Sequence, residues 1–162
     1  MASATVSVEI SIADDINVSD FPSFENAISQ MQALCISIAE RIDIEKDVEC
    51  SLRFVSSSES ALLNNTYRNK NYATNVLSFP AELPDFIESN FVGDIAICLD
   101  VVKTEAEQQH KMFAHHLLHI ISHGILHLLG YDHITEESAQ VMETHEKMVL
   151  AQLGIDDPYQ VQ

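Results

Sequence analysis

Apolar and polar positions along the chain change period several times, and each change marks an element. From Thr5 to Ile12 they alternate, with Val6, Val8, Ile10 and Ile12 on one side, the two-residue period of a half-buried strand. Asp14 to Asp20 reads as a turn. Phe24, Ala27, Ile28, Met31, Leu34, Cys35, Ile38 and Ile42 then follow a helical period. This predicts one core-facing helix over Phe24 to Ile42, with Ser23 as its N-cap. Alternation returns over Asp47 to Val55 (Val48, Cys50, Leu52, Phe54) as a second strand, and Ser56 to Ser58 leads into a short helix, Glu59 to Tyr67, with Ser58 as candidate cap. After an Asn-rich loop, Asn75 to Phe79 reads as a strand stopped by Pro80. Glu82 to Asn90 is an acidic loop, and Phe91 to Leu99 a fourth strand. Asp100 to about His110 is helical. Lys111 to Leu129 carries almost no polar residue besides histidines and Ser122, which predicts a central, buried helix. A last helix begins at Thr135 and runs to Leu153, where Gly154 ends it and Pro158 follows. The expectation is an α+β fold: a single domain over residues 1–162 with a roughly four-stranded mixed sheet packed by about five helices.

The central helix holds the most specific pattern. His123, His127 and His133 stand at offsets of four and ten, with Gly130 between the second and third. Residues four apart lie on one helical face, so His123 and His127 aim at a common point. Ten residues of uninterrupted helix would carry His133 about 15 Å along the axis, so the chain must reverse first. Gly130 is where it can, because glycine enters the left-handed conformation that ends helices. The predicted result is a zincin-like metal helix holding one Zn2+ ion on three neutral imidazoles, with a fourth position for water. The spacing is that of metalloproteases, but the position after the first histidine, where those enzymes carry a glutamate base, is Gly124. His119 shares the face of His123 and reads either as a partnered core histidine or as a group behind the ligands. Asp132 either orients an imidazole or shapes the turn, and Tyr131 reads as packing.

Charge changes the picture. The chain of 162 residues carries a formal net charge of −17, which repels polyphosphates overall and first suggests a small substrate. One window departs from that balance. Ser60 to Ala81 contains no Asp or Glu, yet holds Arg68 and Lys70, and arginine's planar fork suits phosphate. The window is a candidate local positive patch, or an ordinary loop. Cys35, Cys50 and Cys98 are scattered and odd in number, as expected of reduced thiols in a cytoplasmic protein. No apolar run is long enough for a membrane span, and residues 1–15 lack the basic and apolar regions of a secretory signal.

The block His123-Gly124-x-Leu126-His127-Leu128-Leu129-Gly130-Tyr131-Asp132-His133 resembles the signature of the bacterial YbeY family of zinc-dependent endoribonucleases. So do the upstream blocks Leu63-Asn64-x-x-Tyr67-Arg68-x-Lys70, Thr74-x-Val76-Leu77-Ser78-Phe79-Pro80 and Gly93-Asp94-Ile95, and the tail from Leu153-Gly154 to Pro158-Tyr159. The similarity runs over roughly residues 50 to 160. It implies a compact α+β fold, metal ligands at His123, His127 and His133, and a functional arginine at Arg68. It implies single-strand-specific cleavage of RNA in ribosomal RNA processing, notably at the small-subunit 3′ end, and in ribosome quality control, with ribosomal RNA and ribosome-associated proteins as partners. The chain departs from the family at Asn75 and Asn71, where acids are usual, so no acidic role carries over to either. In this reading zinc activates water and polarises a phosphoryl oxygen, Arg68 holds the scissile phosphate as a catalytic group, and Lys70, Asn75 and Ser78 line the path of the RNA. No side chain stands out as general base, which leaves the ion's own water or a residue such as His119. Two other readings remain: a hydrolase of another bond, such as an amide, which Gly124 disfavours, and a non-catalytic ribosome-assembly factor with a structural ion.

Overall fold

The computed structural model describes residues 4–84 and 86–160. Met1 to Ser3, Asp85 of the acidic loop and the last two residues lie outside the described residues. Four strands form one mixed sheet, β1 (Val6–Ile12), β2 (Val48–Val55), β3 (Val76–Pro80) and β4 (Phe91–Cys98), in the order β1-β2-β4-β3. β1 pairs parallel to β2 in the register Val6 to Val48, and β2 runs parallel to β4. β3 is antiparallel to β4, with Ser78 opposite Ile95. Parallel neighbours cannot be joined by a tight hairpin, so helices make the crossovers.

The helices are α1 (Phe24–Ser29), α2 (Met31–Ile42), α3 (Ser57–Arg68), α4 (Leu99–Gln108), α5 (Phe113–Leu128) and α6 (Glu136–Gln152). The single helix expected over Phe24 to Ile42 is two. The Ser29 hydroxyl donates back to Asn26 O at 2.7 Å and Gln30 leaves helical geometry with ψ near 1°, a local side-chain bond competing with the helical ladder. The apolar stripe passes straight through the break, since Ala27, Met31, Leu34 and Ile38 are all buried; periodicity alone does not register it. Ser23 does not cap α1: it sits at φ 77° with no side-chain cap bond. The cap of α3 is Ser56 rather than Ser58, its Oγ accepting from Glu59 N at 3.2 Å. Thr135 caps α6 in a reciprocal box with Ser138.

One face of the sheet is covered along its length, and the other only at the end of β2 and along β3 and β4. The larger core joins Leu34 and Ile38 of α2, Leu52 and Phe54 of β2, Ile95 and Ile97 of β4, and Leu117, Leu118, Ile121 and Ile125 of α5. Each such side chain contributes roughly 1.5–3 kcal/mol on burial. Twelve of the sixteen residues of α5 are buried, so it is the central helix, as its composition predicts. A smaller cluster sets Leu63 of α3 and Phe79 of β3 against Val55, Ala96 and Cys98. The three cysteines are free and buried, and burial pushes the thiols of Cys35 and Cys50 up to about 11 and about 12. Among the described residues no helix is long and apolar enough to cross a membrane.

Candidate metal centre

The reversal after α5 comes from glycine. Gly130 adopts φ 102°, closed to most L-residues, while Gly130 N donates to His127 O and Tyr131 N to Leu126 O, both at 3.1 Å. His133 is thereby folded back on the helix end. The rings of His123, His127 and His133 form a nearly equilateral triangle, with centroids 5.3, 5.4 and 5.3 Å apart. One nitrogen from each lies within 4.8 Å of the others. Burial, then the neighbouring His123 and His133, holds the His127 pKa below its ordinary value. That favours the neutral ring a metal requires.

Behind the triangle stands a residue that sequence reasoning misses. Glu146 of α6 is fully buried. His123 Nδ1–H donates to its Oε1 at 2.9 Å and His119 Nε2–H to the same oxygen at 3.1 Å, while the Tyr159 hydroxyl donates to Oε2 at 2.7 Å. Burial alone would raise the carboxyl's pKa, but the bonds from His119 and His123 outweigh it and hold Glu146 down at about 2. An ionised acceptor at Nδ1 fixes the His123 tautomer and leaves Nε2 as the lone-pair donor. The donor set therefore fits a borderline-soft divalent ion such as zinc: three imidazoles, one already oriented by a carboxylate. A signal for Glu146 was present in the sequence. It occupies the buried stripe of α6 with Met142, Val149 and Leu150, where a charged residue is out of place unless paired.

Gly124 also has a physical reason. A Cβ built there would lie 3.1 Å from Ile95 Cγ2 and 3.3 Å from Val76 Cγ2, so α5 packs on β3 and β4 through this position. A side chain there would force Ile95 and Val76 to give way.

The family model of Endoribonuclease YbeY matches residues 12–154. The chain belongs to the YbeY family. A relative named Endoribonuclease YbeY in Idiomarina loihiensis is 46% identical over 136 residues, covering 84% of this chain and 82% of the relative. Another of that name, from Alteromonas mediterranea, is 51% identical over 113 residues, with 70% and 72% covered. The solution structure of TM1509 from Thermotoga maritima shares the fold, with a TM-score of 0.53 at 24% identity over 94% of this chain and 99% of that one. The YbeY match starts well before residue 50, so the similarity read from the motifs is wider than they indicate.

The remaining residues singled out in this YbeY chain sort themselves by position. Arg68, at the C-terminal end of α3, is exposed; its Nη2 donates to Ser78 O at 3.0 Å and its Nη1 to Tyr67 O at 3.2 Å. Lys70 is exposed just beyond the helix end. The Ser78 hydroxyl donates to Gly124 O at 3.3 Å, docking β3 beside His123. The Asn75 amide turns to Glu105 of α4, donating to its two oxygens at 3.0 and 3.2 Å, and His116 Nε2–H meets the same carboxylate at 2.9 Å. Asp132 Oδ1 accepts from Ile134 N at 3.2 Å and so shapes the turn. His119, bound to Glu146, stands behind the ligands. Tyr131 packs edge-on to His145 at 4.9 Å.

Proposed function

We infer that this chain is a metal-dependent endoribonuclease that cuts single-stranded RNA at the three-histidine centre. We further infer that it works in the cytoplasm on ribosomal RNA, at the small-subunit 3′ end, and in ribosome quality control together with ribosome-associated proteins. The observation that carries the reading is the closed triangle of His123, His127 and His133 in a chain about half identical to proteins named Endoribonuclease YbeY.

The ion expected on the three imidazoles is zinc, which when bound supplies Lewis acidity toward a phosphoryl oxygen and acidifies water. Glu146 holds His123 in the required tautomer and, through Oε2, orders Tyr159. Arg68 is the catalytic cation: it keeps N–H groups beyond the two spent on backbone carbonyls and offers them to the scissile phosphate as negative charge develops. Lys70 extends that positive field along the strand. Asn75 and Ser78 set the walls of the path, Ser78 by fixing β3 against α5 and Asn75 by tying the start of β3 to α4. His119 donates its Nε2–H to Glu146 and its other nitrogen, Nδ1, is buried away from solvent, so it orients His123's carboxylate partner and is not the base. Peptide hydrolysis is disfavoured because position 124, the usual seat of the protease base, faces Ile95 and Val76.

His127→Ala removes one corner of the triangle from a half-buried position. The expected outcome is a folded protein that retains no zinc and cuts no ribosomal RNA precursor. Cleavage by the nuclease-free variant at the wild-type rate would overturn the metal mechanism. A wild-type protein that melts on chelation would instead support a structural ion.

A further inference from the structure

β3 is an edge strand whose two faces and outer edge carry different chemistry. Ser78 faces α5, and its hydroxyl reaches Gly124 O. Phe79, one residue on, faces the opposite side, where it and Leu63 of α3 pack on the cluster of Val55, Ala96 and Cys98, as strand alternation requires. Tyr67, one turn after Leu63, meets the Phe79 ring edge-on, with centroids 5.1 Å apart at 66°. The Arg68 guanidinium lies over that ring, 5.7 Å from its centroid, while bonding to Ser78 O on the free edge. Tyr67 is nevertheless 59% exposed. An aromatic ring clamped on one side and open on the other is a poor core residue and a good stacking surface.

The platform is preset. Asn69, at φ 59°, ends α3 in the left-handed conformation, its N–H bonded to Asn64 O and Asn65 O. The following loop is tied back by two buried polar side chains: Ser60 Oγ exchanges hydrogen bonds with Thr74, and Asn64 Nδ2 donates to Tyr72 O at 2.9 Å. Tyr67 is thus presented with little entropy left to lose. The whole unit lies inside the acid-free window from Ser60 to Ala81 in a chain of net charge −17. Exposed aromatics beside Arg and Lys are the features of sequence-tolerant single-strand binding.

We propose that Tyr67, braced on Phe79 and flanked by Arg68, is a base-stacking subsite that takes an unpaired nucleobase of the RNA where it passes over the β3 edge. Arg68 sits between the two faces and takes the backbone phosphate. The stacking ring demands a base free of its helix, so this residue makes the enzyme prefer single strands. The proposal rests on the reading of the chain as an endoribonuclease and gives that site its selectivity.

The chain contains no tryptophan, so Tyr67→Trp places a single tryptophan at the platform, excited at wavelengths where the remaining tyrosines do not absorb. Quenching of its emission by a 2′-O-methyl oligoadenylate, which resists cleavage, is expected to saturate. The same oligomer with abasic positions should quench weakly. In the otherwise native chain, Tyr67→Leu keeps an apolar contact with Phe79 and loses the π-face. It should weaken oligoadenylate binding roughly tenfold, the scale of one stacked base, leave affinity for the abasic strand unchanged, and narrow the preference for single over double strands. Tyr67→Phe should bind as the wild type does. Equal losses on the abasic and base-bearing strands, or no loss in a Tyr67→Leu protein that melts like wild type, would overturn the subsite. These readouts need no cleavage: if the wild type cuts no RNA while the quenching holds, the endoribonuclease reading fails and the stacking site stands.

Discussion

Replacing Glu146 separates the stability of the fold from the preparation of the metal site. The carboxylate is fully buried and accepts from His119, His123 and Tyr159. Glu146→Ala leaves those donors facing a hole. At about 1–3 kcal/mol for each buried unsatisfied group, the sum would be large, but ring rotation and entering water recover part of it. A broken buried pair loses about 3–5 kcal/mol, and that is the expected destabilisation of the metal-free protein. Glu146→Gln is the sharper test. It keeps the volume and an oxygen for His119 and His123, and its amide can donate to the Tyr159 oxygen; only the charge goes. Neutral acceptors hold N–H donors about half as strongly as ionised ones, so about 1–3 kcal/mol of fold stability should be lost. The larger change is at His123, whose ring is no longer locked with its proton on Nδ1. Zinc affinity should fall about 10- to 100-fold, or ~1.4–2.7 kcal/mol. A chromophoric chelator in competition measures the first quantity and urea unfolding of the metal-free protein the second. Glu137→Gln, on the exposed first turn of the same helix, is the control and should alter neither. A folded Glu146→Gln protein that holds zinc as tightly as wild type would refute the orienting role.

Gly124→Glu installs the residue a protease would carry. Because a Cβ there already crowds Ile95 and Val76, the variant should lose more than about 3 kcal/mol through overpacking and a buried, unpaired charge; an unchanged melting midpoint by circular dichroism would contradict that account of the glycine. Asn75→Asp sets a second carboxylate against Glu105. In the native chain burial raises the Glu105 pKa, but the bonds from His116 and Asn75 outweigh it and hold it below its ordinary value, so the stability it contributes is present at neutral pH and lost as acid titrates it. In the variant the like charges push a carboxyl pKa up, so the sign reverses: the folded state binds the extra proton, and stability falls as pH rises from about 5 to 7, by ~1–2 kcal/mol after discounting for solvent. Urea midpoints at the two pH values decide it, and a variant equally stable at both would remove the pair.

The parts of this molecule that sequence reveals are those decided within one element. Alternation marks the strands because one face of each is covered, and the apolar stripe of α5 marks the central helix because the stripe is what buries it. The metal triangle is legible for the same reason: two ligands share a helical turn and the third follows a glycine whose only local task is to reverse the chain. What sequence does not reveal depends on partners far along the chain. Glu146 meets His123 from another helix, and its out-of-place charge in the stripe of Met142 and Val149 announces a partner without naming it. The bond of Asn75 to Glu105, thirty positions away, is likewise invisible in the sequence. The break at Gln30 escapes because the stripe that the core needs is continuous across it.

The acidity of the chain, which at first argues against nucleic acid, has a structural resolution. Repulsion of a polyanion is set by the charge near its path more than by the total, since the field of exposed charges is screened within about 8–10 Å at physiological ionic strength. Arg68 and Lys70 stand within a stretch of sequence free of acids, and β3 joins that stretch to α5 through the packing of Val76 on the core and the hydroxyl of Ser78 on Gly124 O. Gly124 thus does two things. Its missing side chain lets α5 approach the sheet, and its carbonyl receives the strand that brings the arginine alongside. A glutamate at that position would press on Ile95 and Val76 and hold β3 away. In this chain the same position brings the three-histidine triangle and the strand bonded to Arg68 together.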